Sequence, residues 1–107
     1  MAKTVSRIRF CLHTQGPQRV LAAADEDVLG KKHEGGGRVL DLIKFASFYG
    51  EQTITAGGLE EHLEACTSAN LAGERACAAA VRMGLAEEGQ VARIGGVAHL
   101  QLYRRLL

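Results

Sequence analysis

The residues best suited to hold a ligand lie near the predicted start of a helix. Leu71 to Met83 is predicted to be helical, with Asn70 as its amino-terminal cap and Gly84 at its end. The unpaired backbone N–H groups of a first helical turn attract anions, and Gly73 would let an anion approach without a side chain in the way. A structural interpretation stays open, because ordinary capping explains Asn70 and Glu74 without a ligand. The candidate anion- or ligand-binding residues are Asn70, Gly73, Glu74, Arg75 and His99.

A second set of candidates is basic and lies in the first half of the chain. Arg7, Arg9 and His13 alternate with apolar residues, which places them on one face of a predicted strand. Residues 1–50 contain eight Lys and Arg against five Asp and Glu, whereas residues 51–107 contain five against seven. Such cations bind phosphates, although exposed strands also carry them to stay solvated or to prevent edge pairing. The candidate RNA-binding residues are Arg7, Arg9, His13, Arg19, Lys31, Lys32 and Arg38.

The other chemistry-bearing residues predict neither a metal site nor a nucleophile. His62 and Cys66 are four positions apart on a predicted helix, but two ligands do not make a site, and Cys66 is predicted to pack in the core. Cys77 lies among alanines, where burial raises the pKa of a thiol, so a reactive pair with His99 is not expected. No phosphate loop or nucleophile motif occurs in the sequence. We therefore expect a non-catalytic protein rather than an enzyme, with no metal and no cofactor.

Hydrophobic periodicity and glycine positions predict the elements that hold these residues. The predicted strands are Val5 to Thr14, Arg19 to Ala24, Val39 to Phe48, Val91 to Ile94 and Val97 to Tyr103, and the predicted helices are Leu59 to Cys66 and Leu71 to Met83. Asp25 to Gly30 is predicted to form one helical turn, Gly35 to Gly37 a mobile loop, and Gly95-Gly96 a hairpin turn that pairs Ala92 with His99. The order βββααββ predicts an α+β fold, with a mainly antiparallel sheet of about five strands packed on one side by a helix pair.

Length and composition bound the class of protein. The chain has 107 residues, of which 47% are hydrophobic and 23% charged, and its net charge is +1. These values predict a single globular domain over residues 1–107 rather than a strongly basic protein that coats nucleic acid. The sequence contains no apolar run of about 20 residues and no signal-peptide block at its amino terminus. A cytoplasmic protein without a membrane segment is expected.

Four segments carry a recognisable set of motifs. They are residues 23–31, Phe48 to Glu51, Ala69 to Ala76 and Gly95 to Gln101. In order and spacing they resemble the small archaeal family catalogued as domain of unknown function 424, and the resemblance extends from Val20 to Leu102. Its most distinctive part surrounds Asn70, Gly73 and Glu74, whereas Ala98 departs from the proline expected before the histidine. The resemblance implies a small cytosolic archaeal protein associated with translation-related genes, and it implies no activity.

Together these observations favour a non-catalytic binding module that is translation-associated and docks on RNA or the ribosome through the basic face of its first strand. Aromatic residues for base stacking are scarce, since only Tyr103 falls on a predicted exposed strand face. The alternative is a small-molecule-binding domain or enzyme with its site around Asn70 to Arg75 and His99. A third hypothesis is a homodimer formed through a sheet edge or the alanine-rich helix.

Overall fold

The computed structural model describes residues 7–103, which form eight strands and two helices. The strands are β1 (Ile8–Gln15), β2 (Gln18–Asp25), β3 (Lys32–Gly35), β4 (Arg38–Asp41), β5 (Gln52–Ile54), β6 (Ser68–Ala72), β7 (Ala92–Ile94) and β8 (Val97–Tyr103), and the helices are α1 (Ala56–Ala65) and α2 (Glu74–Arg82). Six strands form one sheet in the order β5-β1-β2-β6-β8-β7, in which only β2 and β6 run parallel, and β3 pairs with β4 in a separate hairpin. The predicted α+β fold with a mainly antiparallel sheet is confirmed, with six strands in that sheet instead of about five.

The hairpin predicted at Gly95-Gly96 is present, and β1 and β2 form a second one. β1 and β2 pair antiparallel up to Gln15 opposite Gln18, and the apolar Ile8 and Phe10 of β1 face the helices. β7 and β8 pair so that Ala92 lies opposite His99, as the Gly95-Gly96 turn predicts. Positions 5 and 6 of the predicted first strand lie outside the described residues.

Both helices pack on one face of the sheet and enclose the larger core. Leu59 and Leu63 of α1 and Cys77 of α2 are buried there against Leu21 and Leu71 of the two central strands. α1 begins three residues earlier than predicted, because the Thr55 hydroxyl accepts a hydrogen bond from the Gly58 N–H at 3.0 Å and caps the helix. Within residues 7–103 there is no helix with the length and apolar character needed to cross a membrane.

The strand predicted over Val39 to Phe48 is wrong. Gly36 and Gly37 both have positive φ, 59° and 76°, and make the tight turn of the β3–β4 hairpin within the segment expected to be a glycine loop. β4 ends at Asp41, whose Oδ1 accepts hydrogen bonds from the N–H groups of Ile43 and Lys44 and bends the chain. A 3-10 helix follows at Ala46–Tyr49. Residues 31–49, which we call the hairpin layer, cover the sheet face opposite the helices.

The helical assignment of residues 70–73 is also wrong. Asn70 lies in β6, a central strand paired with β2 on one side and β8 on the other, and Gly73 occupies the cap position of α2. Hydrogen bonding to two neighbouring strands outweighs the local capping preference of asparagine. A strand therefore separates the two helices, and the predicted order βββααββ is corrected accordingly.

Candidate ligand-binding cleft

The start of α2, predicted as an anion site, is occupied by a carboxylate of the protein itself. Asp25 ends β2 and is only 4% exposed. Its two carboxylate oxygens accept hydrogen bonds from the backbone N–H groups of Arg75 and Ala76, each at 2.9 Å. Burial raises the pKa of Asp25, and these two hydrogen bonds oppose the rise because they stabilise the charged form. Asp25 thus holds the position that a bound anion would take at this helix end.

Gly73 is explained by the same carboxylate. Its φ is +100°, and a Cβ at this position would lie 2.4 Å from Cγ of Asp25. Glu74 pairs with Arg93, and the Arg75 side chain lines an open groove of about 760 Å³ together with Arg7 and Arg82. Gly73, Glu74 and Arg75 therefore lie at the amino-terminal end of α2. They do not line the cleft that contains Asn70.

Asn70 and His99 do come together, on the sheet face that the hairpin layer covers. Asn70 Oδ1 accepts a hydrogen bond from the Tyr49 hydroxyl at 2.9 Å and lies 3.2 Å from Nε2 of His99. Burial lowers the pKa of His99, and the positive charge of Arg38 lowers it further. Burial also raises the pKa of Tyr49 to about 12. Both groups are consequently uncharged at neutral pH.

These polar groups lie in a cleft between the sheet and the hairpin layer. The cleft has a volume of about 660 Å³. Leu40, Leu42 and Tyr49 line its buried part, whereas Val39 and Phe45, which are 57% and 54% exposed, stand at its rim. A mostly apolar cleft of this size with a few convergent polar groups is typical of a binding site.

Three aromatic residues that line this cleft, Phe45, Phe48 and Tyr49, are not among the site residues predicted from the sequence. The ammonium of Lys44 lies 5.4 Å from the centroid of the exposed Phe45 ring. Phe48 stacks on His13 with the ring centroids 4.7 Å apart, and His13 Nε2 lies 2.8 Å from the Phe48 carbonyl oxygen. A signal was present, because three of the five Phe and Tyr residues of the chain fall within residues 45–49. The predicted strand over Val39 to Phe48 obscured this cluster, because neighbouring side chains of a strand point to opposite faces of the sheet.

The basic residues predicted to bind RNA are spread over separate parts of the molecule. Arg9 pairs with Glu26 at 3.1 Å, and His13 is held by Phe48. Arg19 donates from Nε to the Ala65 carbonyl oxygen at 2.7 Å, at the carboxyl end of α1. The polar face of β1 is therefore partly covered and internally paired, and it is not the open stripe of cations that the alternation predicts.

Lys31, Lys32 and Arg38 belong to the hairpin layer instead. All three are exposed, and Lys32 forms an exposed ion pair with Glu34 at 3.4 Å. The pKa of Asp41 is lowered by the hydrogen bond from the Lys44 N–H, with further contributions from the Ile43 N–H and from the charges of Lys32 and Lys44. Two cations of this layer, Lys32 and Lys44, thus act on a carboxylate that is held within its own turn.

Cys66 and Cys77 are both buried, as their sequence surroundings predict. Cys77 is buried among the helix-side residues, where burial raises the pKa of its thiol to about 12, and His99 lies on the other face of the sheet. Cys66 is buried as predicted, and His62 packs against the ring of Phe10. Across residues 7–103, no three His, Cys, Asp or Glu side chains are grouped so that they could hold a metal ion.

The fold and the cleft define a small α+β protein whose sheet is covered by helices on one face and by a hairpin layer on the other. The family model described as protein of unknown function (DUF424) matches residues 13–104, and the chain belongs to that family. It is also similar to a solved structure, the crystal structure of an uncharacterized conserved protein from Methanopyrus kandleri. The two chains are 31% identical with a TM-score of 0.73, over 95% of this chain and 97% of the other. No curated protein matches the chain.

Proposed function

We propose that the protein is a non-catalytic RNA-binding module that contacts RNA through the hairpin layer and the adjoining cleft. The observation that carries the proposal is Phe45, whose side chain is 54% exposed at the cleft rim with the Lys44 ammonium 5.4 Å from its ring. An exposed aromatic ring can stack on an unpaired base while a neighbouring cation attracts the phosphate. The structure places both groups side by side on one short segment.

The distribution of charge supports the same surface. Residues 31–45 carry four basic side chains, Lys31, Lys32, Arg38 and Lys44, against two acidic ones, Glu34 and Asp41. This segment therefore has a net charge of +2, larger than the +1 of the whole chain. Phosphate contacts depend on local charge, so a nearly neutral protein can bind RNA through such a segment.

We propose the hairpin layer as the principal surface and the β1 face as a secondary one. Arg9 and His13 already have partners on the protein, so RNA would have to displace Glu26 or Phe48 to reach them. The double variant Arg7→Glu, Arg9→Glu tests the β1 face. It should weaken RNA binding less than the removal of Phe45 does.

The proposal extends to a role in translation, for which the sequence resemblance is the support. Ribosomal and transfer RNA are accordingly the first RNAs to test. Co-sedimentation of the purified protein with ribosomes at low salt should be lost in the Phe45→Ala variant.

The binding test compares Phe45→Ala with Ile43→Ala by fluorescence anisotropy on single-stranded RNA. Ile43 is 61% exposed on the same segment but does not line the cleft, so it is a matched control for lost apolar surface. Loss of a stacking platform should weaken binding about fivefold or more, since stacking contributes about 1–3 kcal/mol per base. Equal affinities of the two variants would show that the cleft rim does not hold a base.

Salt dependence tests the electrostatic part of the proposal. Arg38→Gln should weaken binding and make the plot of log affinity against log salt shallower by about 0.7, the contribution of one phosphate contact to a single strand. No binding of wild-type protein to any RNA at low salt would overturn the proposed function.

A second candidate function is the binding of a small molecule at Asn70 and His99. Its support is that these residues hydrogen-bond to each other within a cleft of about 660 Å³, a volume suited to a small ligand. Mass spectrometry of compounds that co-purify with the native protein tests this function, and a metabolite lost in the His99→Phe variant would favour it.

A homodimer is a further proposal, and its interface is restricted by the fold. Ala76, Ala79 and Ala80 of α2 are buried against the protein's own core, so the alanine-rich helix face is not exposed for a partner. Of the two interfaces predicted from the sequence, a sheet edge is therefore the one that we propose for a second copy. Sedimentation at micromolar concentration distinguishes dimer from monomer.

A further inference from the structure

A second concave surface, separate from the cleft, lies on the helix side of the sheet. It is the groove of about 760 Å³ beside α2, which we call the arginine groove. Its lining includes residues of α2, of the start of β1 and of the end of β5, namely Arg7, Ile8, Ile54, Arg75, Ala78 and Arg82. Ile8 and Ile54 pack with the helix-side core, whereas Asn70 and His99 line the cleft on the opposite face of the sheet. The groove is therefore a site of its own.

The apolar part of the arginine groove is aliphatic. Ile8 and Ile54 lie opposite each other in the antiparallel pair of β1 and β5. Ile8 is buried, while Ile54 and Ala78 are half-buried and leave apolar surface for a ligand to cover. Among the described residues, no aromatic side chain lines the groove, so a nucleobase would find no ring to stack on. An aliphatic ligand fits this lining better than a base does.

Two arginines of the groove are held by their backbone and have free side chains. The Arg7 carbonyl oxygen accepts a hydrogen bond from the Glu26 N–H at 2.7 Å. Asp25, the preceding residue, accepts a hydrogen bond from the Arg75 N–H at 2.9 Å. The backbones of both arginines are thus fixed beside the end of β2, and both residues are exposed. In the described part of the chain, neither guanidinium takes part in a hydrogen bond or an ion pair.

The other charged residues that line the groove already have partners. Glu74 lines it as well, but its carboxylate forms an ion pair with Arg93. Arg82, which lies about two turns and about 10 Å further along α2 than the first arginine of that helix, pairs with Glu60 at 3.4 Å. The charges left to attract a ligand are therefore those of the two unpaired arginines, and they select an anion.

We propose that the arginine groove binds a small organic anion, composed of an aliphatic body and one acidic group, either a carboxylate or a phosphate. The body lies against Ile8 and Ile54, and the acidic group is bound by Arg7 and Arg75. A guanidinium can donate two parallel N–H bonds to either kind of acidic group. The groove volume of about 760 Å³ is within the range of small-molecule sites. This site goes beyond the proposed RNA-binding function and does not depend on it.

The four isoleucines of the chain report on the two sides of the sheet separately in methyl NMR spectra. Ile8 and Ile54 line the groove, whereas Ile43 belongs to the hairpin layer and Ile94 to the smaller cluster beneath it. Octanoate and octyl phosphate should shift the first two methyl signals and leave the other two in place, and the tighter of the two compounds identifies the acidic group. Acetate, which lacks the aliphatic body, should bind at least tenfold more weakly, and 1-octanol, which lacks the charge, about fivefold more weakly.

Single substitutions then assign the acidic group to its arginines. Arg75→Gln removes the charge but keeps the backbone N–H that Asp25 accepts, so the unfolding midpoint should stay near that of wild type while the octyl anion binds about fivefold more weakly. Arg7→Gln should weaken binding in the same way. Arg38→Gln, an exposed arginine of the hairpin layer, is the matched control and should leave the affinity for the octyl anion unchanged.

Three results would overturn the inference. If 1-octanol binds as tightly as octanoate, the arginines do not select an anion, and if acetate does so, the aliphatic body is not recognised. If the octyl compounds leave the Ile8 and Ile54 signals in place, the groove does not bind such an anion, and shifts caused by single-stranded RNA instead would assign it to the RNA surface. The proposed function fails on a different result, which is that wild-type protein binds no RNA.

Discussion

The side-chain oxygen of Asn70 is a shared acceptor for Tyr49 and His99, and its loss should be felt in stability. Asn70→Ala should lower the free energy of unfolding by about 1–3 kcal/mol, because the largely buried Tyr49 hydroxyl would lose its partner. Urea denaturation measures the change. Tyr49→Phe is the companion substitution, and it should cost less in the Asn70→Ala background than in wild type. Equal costs in the two backgrounds would show that this hydrogen bond contributes nothing to stability.

His99 makes the stability depend on pH in a defined direction. Burial, and then Arg38, lower its pKa below the ordinary value of 6.5, so the folded state binds this proton less readily than the unfolded state. Above that value His99 is neutral in both states and contributes no pH dependence. As the pH falls below it, protonation favours the unfolded state, and stability declines until the lowered pKa of the folded state has been passed.

The measurement is the unfolding free energy of wild type and His99→Gln at about pH 7.5 and about pH 5, which lie on either side of an ordinary histidine pKa. Wild type should lose more stability on acidification than the variant does, since other titrating groups are common to both. A parallel decline of the two proteins would contradict the lowered pKa.

At the scale of elements, the junction of β2 with α2 depends on the contact between Asp25 and Gly73. Gly73→Ala should destabilise the protein by about 2–4 kcal/mol, because the new Cβ would meet the Asp25 carboxylate and the backbone has φ +100°. Thermal and denaturant unfolding measure this. In an Asp25→Ala background the same substitution should cost less, since only the backbone strain remains. A Gly73→Ala protein as stable as wild type would contradict this account.

Elements whose signals are local could be predicted from the sequence. Alternation in β1 and the glycine pair between β7 and β8 depend on neighbours within a few positions, so β1 was predicted as a strand and the β7–β8 hairpin was predicted with its observed pairing. The cap of α2 was not predicted, because Asp25, which accepts the hydrogen bond from the Arg75 N–H, lies 50 residues before Arg75 in the chain. Asn70 was assigned to the wrong element for a related reason, since its strand is defined by partners distant in sequence.

The candidate cleft was predicted in part. Asn70 and His99 belonged to one candidate set, and the pairing of β6 with β8 does bring them together. Tyr49 and Phe45 were missed, because the path of residues 42–50 is set by the Asp41 turn and by packing on the sheet rather than by periodicity. Side chains on an irregular segment acquire their neighbours only through tertiary structure.

At the scale of the whole molecule, the helices and the hairpin layer, which lie on opposite faces of the sheet, differ in how they are attached to it. The helices enclose the larger core, whereas β3 and β4 pair only with each other and pack on the sheet through a smaller cluster that includes Leu40, Leu42 and Tyr49. The hairpin approaches the β7–β8 turn so closely that a Cβ on Gly35 would lie 2.9 Å from the backbone nitrogen of Gly95. We expect the hairpin layer to open more readily than the helical side.

Gly35→Ala tests whether this close approach holds the hairpin layer on the sheet. The added methyl group should overpack the contact at a cost of about 1–3 kcal/mol, and the effect should be local because the helices do not touch this site. Hydrogen exchange should accelerate in residues 32–49 and stay unchanged in α1 and α2, and RNA affinity should fall with it. Gly57→Ala is the control, since a Cβ at Gly57 meets no atom within 4 Å beyond its chain neighbours and its own helix backbone, and this change should neither accelerate exchange nor weaken binding. Faster exchange in the helices as well would mean that the helices and the hairpin layer open together. The hairpin layer would then not move as a separate part of the binding surface.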